Sequence, residues 1–310
     1  MKTNRHPFQM LVLASCTLCG LGMFLPELKA DAPTTVPSSA NWVVHFDLAD
    51  FGRTALGELL ADLPRSEQEE RAIAMARDRL GFDFSRDLHS LTLYGPDKER
   101  TNAVVLARGN FEVERVRNFL QERNSYSERW HGEHRILQWG DDGRVLFDEP
   151  GALAFHPTGI AVLAVSVERV SEALDLLDGK ASGWAIEPPP DAGEPYLLAF
   201  ADLVELGELR PEATLLRQSD FLVLTIGETA ESLQVRLLVE AQNVEVARQI
   251  ESVVLGLQAY ALLRSGGDWA GLPDWLLTAT IIRDESTLHF SLDAPAGRIA
   301  KFLEEQAKRN

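Results

Sequence analysis

Two hydrophobic rhythms run along this chain, one of short apolar runs and one of residues three and four apart. The clearest short run is Trp42-Val43-Val44-His45-Phe46, which ends in Asp47-Leu48-Ala49-Asp50-Phe51-Gly52. An apolar run this brief, rich in β-branched and aromatic residues and closed by a capping acid, predicts a buried strand feeding a helix start. The same order returns as Leu197-Leu198-Ala199-Phe200-Ala201-Asp202-Leu203-Val204-Glu205-Leu206-Gly207. Both copies read Asp-Leu, one variable residue, an acid, a large hydrophobe and Gly.

Alternation predicts further strands at 88–94, 103–107, 135–139, 144–147, 153–156 and 159–165, then at 197–200, 221–226, 233–240, 277–282 and 287–292. Helical spacing appears in between. Ser66-Glu67-Gln68-Glu69 opens a charged helix that Gly81 stops, and Asn110-Phe111-Glu112-Val113 starts one carrying Val113, Val116 and Leu120 on one face. Ser166 caps a helix with Val170, Leu174 and Leu177 inward, ended by Gly179. Asn243-Val244-Glu245-Val246-Ala247-Arg248 echoes Asn110 to Arg115 and opens the longest helix. Its Val246, Ile250, Val253, Leu257 and Tyr260 form a core-facing stripe, and a last helix carries Ile299, Phe302 and Leu303.

These elements predict an α+β fold: two similar tandem units of mainly antiparallel sheet with helices packed on one face. The first unit covers 41–186 and the second 196–310. Between them Glu187-Pro188-Pro189-Pro190-Asp191-Ala192-Gly193-Glu194-Pro195 is a stiff linker over 187–195, and a loose lead-in fills 31–40.

The N-terminus is a separate object. Lys2, Arg5 and His6 precede an apolar run from Met10 to Leu25, then Pro26 and Leu28-Lys29-Ala30 before Asp31. That order is a secretory signal peptide over 1–30, and sixteen apolar residues are short of the ~20 that span a bilayer. The expected product is exported, periplasmic or extracellular, with no transmembrane span after cleavage. The alternative is lipid anchoring through Cys16, since Leu13-Ala14-Ser15-Cys16 resembles a lipobox. Cys16 and Cys19 are the only cysteines, so the mature chain expects no disulfide and no thiolate chemistry.

Charge narrows the partners. Residues 1–30 hold +2 (Lys2, Arg5 and Lys29 against Glu27) of a total −17, leaving −19 to the rest. So acidic a chain, with no Lys/Arg block, is a poor partner for nucleic acid or anionic lipid surfaces, and its charge reads first as solubility.

Candidate chemistry is sparse. Six of seven histidines lie beyond residue 30, and Trp130-His131-Gly132-Glu133-His134 is the one local His/carboxylate cluster. Its spacing is not that of a helical zinc motif, and residues three apart on a strand face opposite ways. There is no Gly-x-Ser-x-Gly elbow and no phosphate-binding glycine loop. The acids Asp47/Asp50 and Asp202/Glu205 have capping spacing, His45 reads as a hydrogen-bonded sheet residue, and Trp269 and Trp275 as packing. No catalytic, cofactor-binding or metal residue is therefore assigned, and no cofactor is expected.

The signal peptide, the Trp-Val-Val-His-Phe-Asp-Leu opening and the later Gly81-Phe82-Asp83-Phe84-Ser85-Arg86-Asp87-Leu88 together resemble a loose group of exported bacterial proteins of unknown function. The resemblance implies a duplicated α+β envelope protein and carries no catalytic residues with it. The expected function is a non-catalytic binding or interaction module. The alternatives are a carrier holding a lipid-like apolar ligand between the long helix and a sheet, and a metal-assisted hydrolase using the His131/His134 loop.

Overall fold

The computed structural model describes residues 35–61, 67–123, 125–140, 150–185, 187–189, 193–206, 216–229, 232–263 and 278–307. The signal segment, Ser66, residues 144–147, Trp269 and Trp275 lie outside them. The first half runs β1 (Val36–Pro37), β2 (Trp42–Asp47), α1 (Leu48–Phe51), α2 (Ala55–Ala61), α3 (Glu67–Met75) with a π turn (Ala76–Leu80), α4 (Phe84–Asp87), β3 (Leu88–Gly95) and β4 (Val104–Gly109). It continues with α5 (Val113–Gln121), β5 (Ser127–His131), β6 (His134–Trp139), β7 (Gly151–His156), β8 (Ile160–Ala164), α6 (Val167–Leu177) and β9 (Gly183–Trp184). The second half runs β10 (Leu197–Asp202), β11 (Ser219–Thr229), β12 (Ser232–Ala241), α7 (Val244–Leu263), β13 (Thr280–Asp284), β14 (Thr287–Pro295) and α8 (Ala296–Ala307).

The two repeated runs are β2 and β10, and they pair antiparallel at the join of the two halves. Around them one antiparallel sheet of twelve strands takes the order β13-β14-β12-β11-β10-β2-β3-β4-β8-β7-β6-β5, while β1 and β9 form a small separate ribbon. The fold is thus α+β with a mainly antiparallel sheet, as the alternation predicts. His45 lies opposite Thr92, and its Nδ1 is 2.8 Å from the threonine hydroxyl, a hydrogen-bonded sheet histidine.

Local chemistry sets the element ends. Asp47 Oδ1 accepts the Asp50 backbone N–H at 2.8 Å, capping α1. Asp202 Oδ1 accepts from Val204 and Glu205, both at 3.0 Å, closing a turn at the equivalent place. Ser166 caps α6 through the Arg169 N–H at 3.3 Å, and Asn243 caps α7 through the Val246 N–H at 3.0 Å. Gly81 ends the π turn with φ 68°, and a Cβ there would also stand 2.5 Å from Arg115 Nη1 and Glu112 Oε1. The Asn110 echo does not hold geometrically: Glu112, not Asn110, precedes the first residue of α5, while Asn243 directly precedes α7. Val113 consequently points outward, and Val116, Phe119 and Leu120 are the buried residues of α5.

Alternation gives each strand two sides, and the helices choose between them. On one side α6 places Val170, Ala173 and Leu174 against Leu106, Ile136, Ala154 and Val162. On the other, α5 and the π turn place Val116, Leu120, Ala76 and Leu80 against Leu137, Leu153 and Ala161. Helices on one face is therefore the arrangement of the second half alone. There α2 and α8 cover Phe46, Leu233 and Ala294, and α7 covers Val239 and Leu288, all on the α5 side. The physical reason is visible in β6 to β8, whose residues are apolar on both sides, so both must be covered.

The stripe on α7 also shifts. Val246 and Ile250 are buried, but Val253 is 41% exposed and Val254 packs in its place. A 4-3-4-3 stripe suits a partner helix that coils around it, whereas against a sheet the straight i, i+4, i+8 ridge makes the contact.

Candidate functional site

Among the described residues, a cluster of histidines and carboxylates assembles around the C-terminal end of α6. β5 and β6 form a hairpin through Gly132-Glu133, with Gly132 at φ 57°, the residue type that a two-residue turn requires there. The turn makes His131 and His134 directly opposed neighbours, so they share one side of the sheet. The expectation that they face opposite ways applied to one continuous strand and is corrected by this reversal. β5 itself escapes sequence reading because Ser-Glu-Arg-Trp-His has no apolar alternation and the strand lies at the edge of the sheet.

The two histidines nonetheless belong to different partners. His131 Nε2 is 2.8 Å from Asp175 Oδ1. His134 Nε2 lies 2.9 and 3.1 Å from the two oxygens of Asp178. His156 joins the second group, with Nε2 3.2 Å from Asp178 Oδ1 and Nδ1 2.7 Å from Thr158 Oγ1. Register brings His134 and His156 together: each stands two residues beyond the paired Ile136 and Ala154, on the same side. Their ring centroids are 5.2 Å apart. Packing of Val170, Ala173 and Leu174 then lays the last turn of α6 over both rings, delivering Asp175 and Asp178.

Charge at this corner is balanced locally. Lys180 Nζ is 2.7 Å from Asp178 Oδ2 and 3.9 Å from Asp175 Oδ1. Lys180, then His134 and His156, hold the Asp178 carboxyl well below the usual carboxylate range, and Asp178 in turn raises Lys180. A helix C-terminus carries partial negative charge, which adds to the attraction for cations here. The donor atoms of His134, His156 and Asp178 all lie within 4.8 Å of one another. Such a set can share protons between imidazoles and a carboxylate, or hold a metal ion.

Sequence reading singled out His131 and His134 but not His156 or Asp178. The available signals were modest: His156 ends a strand before Pro157-Thr158-Gly159, and Asp178 sits just before the helix-stopping Gly179. Elsewhere, Asp47 caps α1, whereas Asp202 closes a turn over 203–206 and not the helix start expected there. Glu228 Oε1 and Oε2 accept the backbone N–H groups of Ala55 and Leu56 at 2.8 and 3.1 Å, at the start of α2. Among the described residues, no helix is long and apolar enough to cross a membrane.

No protein-family model matches the chain, and no curated protein does. Among solved structures it is similar to crystal form III of TP0453, at 10% identity and TM-score 0.47, over 93% of this chain and 97% of that one. Crystal form I of TP0453 gives 10% identity and TM-score 0.46, over 90% and 99%.

Proposed function

We propose that the chain is an exported, non-catalytic envelope protein that works by binding a partner on the side of its second half that none of the described helices covers. Export is supported by the basic start, apolar run and small residue before Asp31 in residues 1–30. The binding reading is carried by one observation. Val223, Leu238, His289 and Ile282 form a lateral row across β11, β12, β14 and β13, and Ile282 is 64% exposed.

In the first half the same side of the sheet is covered by α6, the helix that follows β8. In the second half α8, the helix that follows β14, lies on the opposite side with Ile299 and Leu303 against Leu233 and Val235. Among the described residues no helix covers the row. The occupant that fits is an amphipathic helix of a partner protein, seated as α6 is seated on the first half. Glu240 and Asp284 border the row on one flank and Arg236, bonded to Asp293, on the other, so the helix should carry Lys or Arg on the edge that faces Glu240 and Asp284.

We also read the two halves as one unit written twice, with the β5–β6 hairpin added to the first. Support comes from element order: two antiparallel strands, a helix, a strand pair that returns beside them, and a closing helix occur in both. The lipid-carrier alternative has less support, because Val246, Ala247, Ile250 and Val254 already pack onto Leu237, Val239, Leu288 and Phe290.

A photo-crosslinker placed at position 282, expressed in the native host, tests the binding reading. The expected adduct maps to a basic amphipathic helix of one envelope protein and disappears in Leu238→Asp. Absence of any adduct, or an adduct to a second copy of this chain alone, would overturn it. Mass spectrometry of the mature protein checks export, with a start at Asp31 expected and a start at acylated Cys16 marking the lipoprotein route.

A further inference from the structure

We propose that His134 Nε2, His156 Nε2 and Asp178 Oδ1 form a binding site for a divalent transition-metal ion of the zinc class. The first argument is distance. Zinc holds nitrogen and oxygen ligands at ~2.0–2.1 Å, which in a tetrahedron sets them about 3.3 Å apart. The Asp178 oxygen already stands 2.9 Å from one imidazole nitrogen and 3.2 Å from the other. All three ligand atoms lie within 4.8 Å of one another, a set that one ion can gather.

The second argument is orientation. Metal-bound histidines are fixed by a hydrogen bond from their other nitrogen. His156 Nδ1 stands 2.7 Å from Thr158 Oγ1 and accepts the Thr158 backbone N–H at 3.3 Å, so the threonine oxygen becomes that partner once Nδ1 carries the proton. In the metal-free arrangement the nitrogens facing Asp178 must carry their protons, because a carboxylate only accepts. On binding, those protons leave to solvent, or in His156 move to Nδ1 and are donated to the threonine oxygen, freeing the Nε2 lone pair. Lys180 holds Oδ2, which leaves Oδ1 as a single-oxygen ligand.

The third argument is ligand type and access. Two imidazoles with one carboxylate favour zinc and its neighbours over calcium and magnesium, which seek oxygen alone. His134 is 7% exposed as a residue while Asp178 opens to solvent, so the ion enters from the Asp178 side and water takes the fourth place. Asp175, Glu133, His131 and Lys180 are the other ionisable groups around this corner. Of these, Lys180 is the cation that competes with the metal for Asp178.

Equilibrium dialysis of the purified, chelator-stripped chain against zinc chloride tests the site. One zinc per chain is expected, undisturbed by excess magnesium and weakening as protons compete at lower pH. His156→Ala should weaken binding by about a hundredfold or more, whereas His131→Ala should leave it unchanged and Lys180→Met should tighten it. Failure of the unaltered chain to retain zinc would overturn the proposal, as would equal losses in His131→Ala and His156→Ala. Cobalt(II) added to the unaltered chain gives a readout that needs no variant. Intense visible bands of a four-coordinate ion are expected, and the pale spectrum of hydrated cobalt would count against the site.

Discussion

Val44 on β2 lies directly opposite Ala199 on β10, and the other pairs of this ladder are arranged symmetrically about that one. Trp42 faces Ala201, and Phe46 faces Leu197. Counting back from Asp47 on one strand and from Asp202 on the other, exchanging equivalent positions turns one pair into another pair of the same ladder. This is the register that two like strands adopt about a two-fold axis perpendicular to the sheet. It also makes the centre of the molecule a shared element, since β2 completes the sheet of the second half and β10 that of the first.

A shared centre has a thermodynamic consequence. Leu198 is 3% exposed on β10, yet it packs in the cluster built by α6 and the first-half strands. Leu198→Ala should cost about 2–5 kcal/mol and shift a single unfolding transition without splitting it. Urea unfolding followed by tryptophan fluorescence and by far-UV circular dichroism checks this. Two separated transitions in the variant would show that the halves unfold independently.

Glu228 on β11 reaches across to satisfy two backbone donors at the start of α2, a cap supplied by a residue distant in sequence. Glu228→Ala leaves both N–H groups without that carboxylate and should cost about 1–2 kcal/mol. Glu228→Gln, which keeps an acceptor oxygen, should cost less. Denaturant midpoints of the three proteins decide it, and an alanine variant as stable as the parent would remove Glu228 from the account of α2.

Much of this architecture is legible in the sequence, and the limits are physical. The strands that become β3, β4, β6, β10 and β12 announce themselves because apolar residues alternate or cluster there, and Asp47, Ser166 and Asn243 mark helix starts by side-chain chemistry. The side of the sheet that a helix covers is a different matter. The amphipathic pattern of α6 and of α8 reports that one stripe is buried, and says nothing of which sheet surface receives it. His156 and Asp178 were missed for a related reason. They meet His134 only through the β6–β7 register and the seating of α6, both of which are properties of the whole sheet.

Asp178 and Lys180 should give this corner a characteristic pH response. The Asp178 carboxyl is lowered in the folded chain, first by Lys180 and then by the two histidines. Unfolding returns it to about 3.9, so its contribution is present above that pH and is lost as pH falls through the lower folded value. Lys180 is raised, so its contribution is present below about 10.4 and is lost as pH rises through the folded value. Asp178→Asn should flatten the acid limb of a plot of unfolding midpoint against pH, and Lys180→Met the alkaline limb. Curves parallel to the parent's in both variants would refute the coupling.

The phase of α7 against the sheet gives the sharpest contrast between neighbouring positions. Ile250 is 4% exposed and packs with Val239, Ala247 and Leu288, whereas Val253, three residues on, faces water. Truncating Ile250 to alanine removes buried methyl and methylene groups and should cost about 2–5 kcal/mol. Truncating Val253 should change stability by no more than about 0.5 kcal/mol, and alanine's better helix propensity offsets part even of that. A heptad-like seam would instead make the two losses comparable. Chemical denaturation of the two single variants therefore distinguishes a straight helix laid on a sheet from one coiled against another helix, and equal losses would place Val253 in an interface.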